Sequence, residues 1–154
     1  MKTMEWKEGC LWLLDQTALP LEERQRCCKE YQAVADAICK LEGRGAPAIG
    51  AAAAYGLVLG AKSIANAADF SGQLQRIADE LNATRPTAVN LAWALKRMLR
   101  IAQTLTHQPA AVIVAALEQE ADAIAREDVL INQRMSQFGA ALFNPAEPIT
   151  VLTH

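Results

Sequence analysis

The sequence predicts a mainly α fold, with an N-terminal β-hairpin followed by a helical bundle-like domain and a single strand near the C-terminus. Three observations lead to this prediction. Aromatic and branched residues flank a glycine-containing turn near the start, which is typical of a hairpin. Apolar residues recur at spacings of three and four through the middle of the chain, which is typical of helices. A proline-containing break at residues 144–148 then precedes a short β-branched run.

The predicted hairpin spans residues 4–15, with its turn at residues 7–9, where a glycine suits the tight reversal. At its end, Asp15 and Gln16 are interpreted as a strand end with a capping side chain rather than as a catalytic pair. A helical turn is predicted to begin at residues 21–26.

Helices are predicted over most of the remaining chain because apolar residues repeat with the helical period. The predicted helices are 31–41 with Gly43 as C-terminal cap, 47–65, 69–84 with Asp69 or Ser71 as N-cap, 88–105 and 109–143. The predicted apolar faces are Val34, Ala37, Ile38 and Leu41; Phe70, Leu74, Ile77, Ala78 and Leu81; Val89, Trp93, Leu95, Leu99 and Ala102; and Val112, Ile113, Leu117, Ala121, Ile124, Ile131 and Phe138.

Residues 46–61 are the only membrane-like run. The run falls about one turn short of the roughly 20 apolar residues that a membrane span needs, and it is rich in alanine and glycine. We therefore predict a buried core helix, in which Gly50, Gly56 and Gly60 let neighbouring helices pack closely.

The composition is that of one globular domain with no bias toward polyanionic partners. The 154 residues are 52% hydrophobic and 21% charged, which excludes a disordered chain. The net charge is −2, so nothing predicts electrostatic capture of nucleic acid or of an anionic membrane. Any anion that binds must therefore be held by local groups.

The cysteines predict neither a metal site nor a redox motif. Cys10, Cys27, Cys28 and Cys39 contain no CxxC pair and no accompanying histidine spacing. Cys27 and Cys28 are expected to lie reduced on or under a helix, as in a cytosolic protein. The first residues lack the apolar stretch of a signal peptide, so a cytoplasmic location is predicted.

Residues 44–50, Arg-Gly-Ala-Pro-Ala-Ile-Gly, predict a loop that feeds the central helix. Gly45 lets another group approach its backbone, and Pro47 suits the first position of a helix. The helix start offers free N–H groups and a partial positive charge, and Arg44 carries a donor fork suited to phosphate. The residues alone fit either an anion site or a sharp turn beside a surface arginine.

Arg85 has the same position relative to the next helix, because Pro86 marks a boundary between helices. Two arginines and two helix starts are therefore able to converge on one phosphate.

Four other polar residues have weaker claims to a site. Asn90 is at least as well explained as a structural amide, and His107 as a solvated side chain. Glu127 and Asp128 are adjacent on a predicted helix and do not face each other. This favours a solvated face or a contact between helices over an acid/base pair.

Residues 44–50 resemble the signature of the methylthioribose-1-phosphate isomerases, within the broader family related to the initiation factor 2B subunits. Three other stretches resemble the same family in the expected order. They are Leu13-Leu14-Asp15-Gln16 with Leu19-Pro20, Arg85-Pro86-Thr87-Ala88-Val89-Asn90-Leu91 with Trp93-Ala94-Leu95, and Ile149-Thr150-Val151-Leu152-Thr153-His154. The resemblance covers the whole chain but only the N-terminal part of such an isomerase.

The resemblance implies two domains. Residues 1–145 are expected to form an N-terminal helical domain with a short β-hairpin, and residues 146–154 to begin a truncated, Rossmann-like C-terminal α/β domain. The strand at residues 149–152 would expose apolar side chains, so a partner surface is expected there. The expected assembly is a homodimer, or a complex with a second chain that carries the C-terminal domain.

The implied reaction is the aldose–ketose isomerisation of 5-methylthioribose 1-phosphate to 5-methylthioribulose 1-phosphate, a step of methionine salvage, with no metal or nucleotide cofactor. The implied substrate-binding residues are Arg44, Gly45, Ala46 and Arg85. No catalytic residue is assigned, because the family's catalytic cysteine and aspartate come after the equivalent of His154, and the stretch alone is expected to be inactive. The alternatives are a non-catalytic initiation factor 2B-like regulatory or assembly subunit and a ribose-1,5-bisphosphate isomerase-type enzyme.

Overall fold

The computed structural model describes residues 3–43 and 45–143, together with Thr150 and Leu152. Arg44, the domain boundary at residues 144–148 and most of the strand predicted at residues 149–152 lie outside the described residues. The described elements, in chain order, are β1 (Met4–Lys7), β2 (Cys10–Asp15), β3 (Arg24–Cys28), α1 (Tyr31–Cys39), α2 (Ala46–Ser63), α3 (Phe70–Ala83), α4 (Val89–Thr104) and α5 (Ala110–Ala140).

The predicted hairpin is confirmed, but it belongs to a three-stranded antiparallel sheet of order β1-β2-β3. Glu8 and Gly9 both have positive φ angles, 55° and 74°, which is the backbone that a two-residue hairpin turn needs. The helical turn predicted at residues 21–26 is wrong, because β3 pairs along β2 from Leu11↔Cys28 to Asp15↔Arg24. Pairing with a strand distant in sequence overrides the weak local preference of this segment.

The predicted core helix is confirmed as α2, which packs against the four other described helices and against β1 and β2. Its residues from Ile49 to Ala61 are all buried. A Cβ on Gly56 would lie 3.2 Å from Cγ1 of Val34 and 3.3 Å from Cδ2 of Leu81, so the glycine does admit its neighbours. None of the helices in the described ranges is both long and apolar enough to cross a bilayer.

The helix ends follow the predictions at α3 but not at α1. Asp69 caps α3 by accepting a hydrogen bond from the Gly72 amide at 2.9 Å. The C-terminal cap predicted at Gly43 is wrong: α1 ends at Cys39, and Leu41 takes the left-handed conformation with φ 60°. The Leu41 amide donates to the carbonyl of Ile38 and the Glu42 amide donates to that of Ala37, which closes the helix in a Schellman motif.

Several large apolar residues that the helical period assigned to the core are exposed. Val89 is 77% exposed, Trp93 49% and Phe138 76%, and Leu41, Val112 and Ile131 are also exposed. The buried residues of the 31-residue α5 end at Ile124, although the helix continues to Ala140. The remaining predicted core positions of α5 are buried as expected: Ile113, Leu117, Ala121 and Ile124.

The second half of α5 and the start of α4 therefore leave an apolar surface beside the beginning of α2.

Candidate functional site

A cleft of about 510 Å³ lies where the beginnings of α2 and α4 face the second half of α5. Pro47 and Gly50 contribute the α2 side, Val89 and Trp93 belong to the α4 side, and Ile131 lies on α5. Three of the exposed apolar residues that were predicted to be buried, Val89, Trp93 and Ile131, thus line this cleft. Periodicity had identified an apolar stripe here but not that the stripe faces an open space.

Gly50 brings the starts of α2 and α4 together. A Cβ added to Gly50 would lie 2.8 Å from the carbonyl oxygen of Asn90 and 3.3 Å from its carbonyl carbon. The two helices therefore meet backbone to backbone near their N-terminal ends. Asn90 itself lines the cleft. A purely structural amide would not need this position, so the claim of Asn90 to the site becomes stronger.

Neither helix start on the cleft is capped by a side chain among the described residues. Gly45 is the N-cap of α2 and Ala88 that of α4, and no side-chain hydrogen bond caps either helix. The start of α3 differs, because the Asp69 carboxylate occupies it. Unpaired N–H groups and the helix dipole favour an anion at the starts of α2 and α4. The Asp69 carboxylate disfavours a bound anion at the start of α3.

Gly45 is needed for its backbone conformation. Its φ of 101° lies in a region that side chains rarely adopt, and its carbonyl accepts the Ile49 amide at 3.0 Å. A Cβ there would touch only Ala48 Cβ, at 3.9 Å, so no described group crowds it. Ala46 is the exposed first residue of α2, and Pro47 occupies the second position rather than the predicted first.

Arg85 lies half-buried in the loop between α3 and α4. Its carbonyl accepts the Ala88 amide at 2.9 Å, which forms the turn that leads into α4. Within residues 3–43 and 45–143, no carboxylate pairs with its guanidinium. Arg85 therefore lies in the loop just before the α4 start, as the sequence predicted, and has no ion pair within the part of the chain that the structure describes. Arg44 falls outside the described residues.

Arg97 of α4, by contrast, is fully engaged. It pairs with Glu120 and, at 2.5 and 2.8 Å, with both carboxylate oxygens of Glu127 on α5, and its guanidinium lies 5.4 Å from the centre of the Trp93 ring. Hydrogen bonds from Arg97 hold the pKa of Glu127 below its usual range, and the same bonds raise the pKa of Arg97. Glu127 therefore makes a polar contact between helices, which is one of the two structural roles that were predicted for it.

Asp128, which also lines the cleft, is not paired with Glu127 as an acid/base dyad. Its Oδ1 accepts a hydrogen bond from Nδ2 of the Asn132 side chain at 3.0 Å. His107 is exposed, as predicted.

Asp15 caps the end of β2, which confirms the structural interpretation. Its Oδ1 accepts the Thr17 amide at 3.0 Å and the Thr17 hydroxyl at 2.5 Å. The hydrogen bond from the hydroxyl is the main reason that the pKa of Asp15 lies below its ordinary value.

An ion pair that no sequence pattern predicted holds the approach to α2. Arg26 of β3 donates to both carboxylate oxygens of Glu42, at 2.8 and 2.9 Å, and to Asp36 at 2.9 Å. Glu42 is only 9% exposed, and its carbonyl accepts the Gln16 amide at 2.9 Å. These bonds fix the chain three residues before Gly45. No local pattern points to a pair separated by 16 residues.

Sequence comparison relates the chain to one family and to several isomerases. Residues 42–154 match the Initiation factor 2 subunit family. The chain is 51% identical, over its full length, to a methylthioribose-1-phosphate isomerase of Pelotomaculum thermopropionicum, of which it covers 43%. It is 47% identical to that of Petrotoga mobilis over 99% of the chain, covering 44% of that protein. It thus spans less than half the length of these curated relatives.

Two solved structures share the fold. The 5-methylthioribose 1-phosphate isomerase from Pyrococcus horikoshii OT3 superimposes with a TM-score of 0.86 at 37% identity, over 92% of this chain and 40% of that one. The translation initiation factor eIF-2B subunit delta from A. fulgidus gives a TM-score of 0.85 at 37% identity, over 96% of this chain and 43% of that one.

Proposed function

This chain belongs to the initiation factor 2 subunit family, and we propose that it forms the part of a methylthioribose-1-phosphate isomerase that binds and positions the substrate phosphate. The reaction converts 5-methylthioribose 1-phosphate to 5-methylthioribulose 1-phosphate. The observation that carries the proposal is the contact of Gly50 with the Asn90 backbone, which gives one cleft two uncapped helix starts.

The phosphate is bound by groups of two kinds. Backbone N–H groups at the starts of α2 and α4, from Gly45–Ala46 and from Val89, supply donors and partial positive charge. Arg44 and Arg85 add full charges with a geometry that matches phosphate oxygens. Because the phosphate is attached to C1, fixing it also fixes the carbon atoms between which the hydrogen moves, and this positioning is the share of the chain in catalysis.

None of the four cysteines is proposed as a catalytic residue. Cys10, Cys27 and Cys28 belong to the sheet and Cys39 ends α1, and none lines the cleft. The relatives are more than twice as long as this chain, and we propose that the side chains that move the proton belong to their additional length. A homodimer, or association with a chain that carries that additional length, remains part of the proposal.

The walls of the cleft favour methylthioribose 1-phosphate over ribose 1,5-bisphosphate. Trp93, Ile131 and Met135 line it and offer apolar and aromatic contact to a thioether. The carboxylate of Asp128 also lines the cleft and disfavours a second phosphate there, whereas that of Glu127 is paired with Arg97.

The assembly-subunit alternative has the fold of the eIF-2B subunit delta in its favour. The sequence relatives named above favour the isomerase, because both are isomerases of that name. The two functions differ in a simple respect: only the isomerase part has to bind the sugar phosphate.

Replacing Arg85 by alanine is expected to weaken binding of methylthioribose 1-phosphate by about 10- to 100-fold, since a charged hydrogen bond contributes roughly 1.5–3 kcal/mol. Isothermal titration of the full chain measures the change, and Arg44→Ala is expected to act in the same way. Arg100→Ala is the matched control, because Arg100 is exposed on the same helix that follows Arg85. Unchanged affinity in both Arg44→Ala and Arg85→Ala would contradict the phosphate assignment, and absence of binding by the wild-type chain would contradict the proposed function.

A further inference from the structure

Two thiols meet on the face of the sheet that points away from the helices. Leu11 and Leu13 of β2 and Cys28 of β3 belong to the core. Because side chains alternate along a strand, Cys10 and Cys27 lie on the opposite face. Their Sγ atoms are 2.8 Å apart.

The strand register explains the contact. Trp12 is the direct partner of Cys27, so Cys10 is the diagonal neighbour of Cys27 on the same face. The Cys27 thiol donates toward Sγ of Cys10, and the Cys10 thiol donates to the Lys7 carbonyl at 3.4 Å. The sulfur separation of 2.8 Å exceeds a disulfide bond by only about 0.8 Å. The two sulfur atoms therefore have to approach each other by less than about 1 Å for a bond to form.

The two thiols differ in access. Cys27 is half-buried, so a small oxidant reaches it, whereas Cys10 is only 5% exposed. Burial is the main reason that the pKa of the Cys10 thiol is raised. The other cysteines have no such partner: Cys28 points into the core, and the Cys39 thiol contacts the Thr84 carbonyl at 3.8 Å.

We propose that Cys10 and Cys27 form a peroxide-responsive thiol pair that closes to an intramolecular disulfide. This site is independent of the proposed phosphate site and of its function. The sequence alone did not predict this thiol pair, because Cys10 and Cys27 are 17 positions apart and form no CxxC motif.

The chemistry has two steps, with hydrogen peroxide as the oxidant. The Cys27 thiolate attacks one peroxide oxygen, the O–O bond breaks, and the released hydroxide takes up the thiol proton as water, which leaves Cys27 as a sulfenic acid. The Cys10 sulfur then attacks the Cys27 sulfur as the Cys10 thiol gives up its proton. The S–S bond forms, the S–O bond breaks, and hydroxide leaves with the Cys10 proton as a second water. Two thiols and one peroxide thus become one disulfide and two waters.

The bond would join β2 to the edge strand β3 and close a loop between residues 17 positions apart. A loop of this size restricts the unfolded chain, so we expect the melting temperature to rise by roughly 5–10 °C on oxidation. A reducing agent should reverse the rise.

The test treats the full reduced chain with hydrogen peroxide and then maps its peptides without reduction. The expected product is a Cys10–Cys27 peptide pair lighter by two hydrogens, together with the higher melting temperature. Cys10→Ser and Cys27→Ser should each abolish the linked peptide, and in Cys10→Ser a dimedone adduct should appear at Cys27. Cys39→Ser is the matched control and should retain the link.

Three results would overturn the proposal. One is a link between Cys27 and Cys28, the second is oxidation confined to Cys39, and the third is a chain in which Cys10 and Cys27 remain reduced while other thiols react.

Discussion

Replacing Gly50 by alanine is expected to destabilise the chain by about 1–3 kcal/mol, or roughly 3–10 °C in melting temperature, and to weaken sugar-phosphate binding at the same time. The added Cβ would lie 2.8 Å from the Asn90 carbonyl oxygen. This is a backbone atom, so relief requires α4 to move away from α2. Such a movement separates the two helix starts that are proposed to share the phosphate. Thermal unfolding and calorimetric titration of the same variant measure both effects.

Gly139→Ala is the matched control for this prediction. Gly139 lies in α5, and a Cβ there would meet no atom within 4 Å. Since alanine is the better helix former by about 0.5–1 kcal/mol, this substitution should leave the chain equally or more stable and should not affect binding. A Gly50→Ala variant as stable as Gly139→Ala would contradict the close approach of α2 and α4.

Replacing Arg26 by methionine is expected to cost about 3 kcal/mol of unfolding free energy, because it leaves the buried Glu42 carboxylate without its main partner. The Arg26 side chain is 30% exposed and the Glu42 side chain 11%, so solvent screens this pair much less than a surface pair. The variant should also bind the sugar phosphate more weakly, because Glu42 fixes the chain leading to Gly45. Denaturant unfolding measures the loss of stability.

Arg24→Met is the matched control, because Arg24 lies on the same strand and pairs with Glu22 while both side chains are more than half exposed. An exposed pair of this kind contributes at most about 1 kcal/mol. Adding Glu42→Leu to Arg26→Met should recover much of the lost stability, since removing both charges removes the unpaired one. Equal losses for Arg26→Met and Arg24→Met would show that the buried pair does not hold the loop.

The helices were predictable from the sequence because their apolar period is local. The observed α3, Phe70–Ala83, and α4, Val89–Thr104, lie within one residue at each end of the predicted ranges. The strand β3 was not predictable, because Arg24–Cys28 contains no alternation of apolar and polar residues, and it is a strand only through its pairing with β2. The exposure of Trp93 and Phe138 was not predicted for a related reason. The helical period identifies an apolar stripe, but it does not show which part of the stripe is covered by another helix.

The candidate site was predictable in its parts but not in its assembly. Gly45, Ala46 and Arg85 were expected at the site because their motifs resemble those of the isomerase family, and close packing at Gly50 was expected from the sequence of the central helix. The sequence did not predict that Gly50 packs against the Asn90 backbone, because this contact joins segments that are distant in sequence. The ion pair of Arg26 with Glu42, which supports the loop before α2, is a second contact between distant segments. Neither contact has a local sequence signal.

Sharing of one phosphate by the starts of α2 and α4 is tested most directly by amide chemical shifts of the isotopically labelled chain during titration with methylthioribose 1-phosphate. We expect the largest shifts at the amides of Ala46 and Ala48 and at those of Val89 and Asn90, moving together with one dissociation constant. The amides at the start of α3 should remain unchanged, because the Asp69 carboxylate occupies that helix start. Shifts at only one of the two helix starts, or shifts centred on α3, would contradict the shared site.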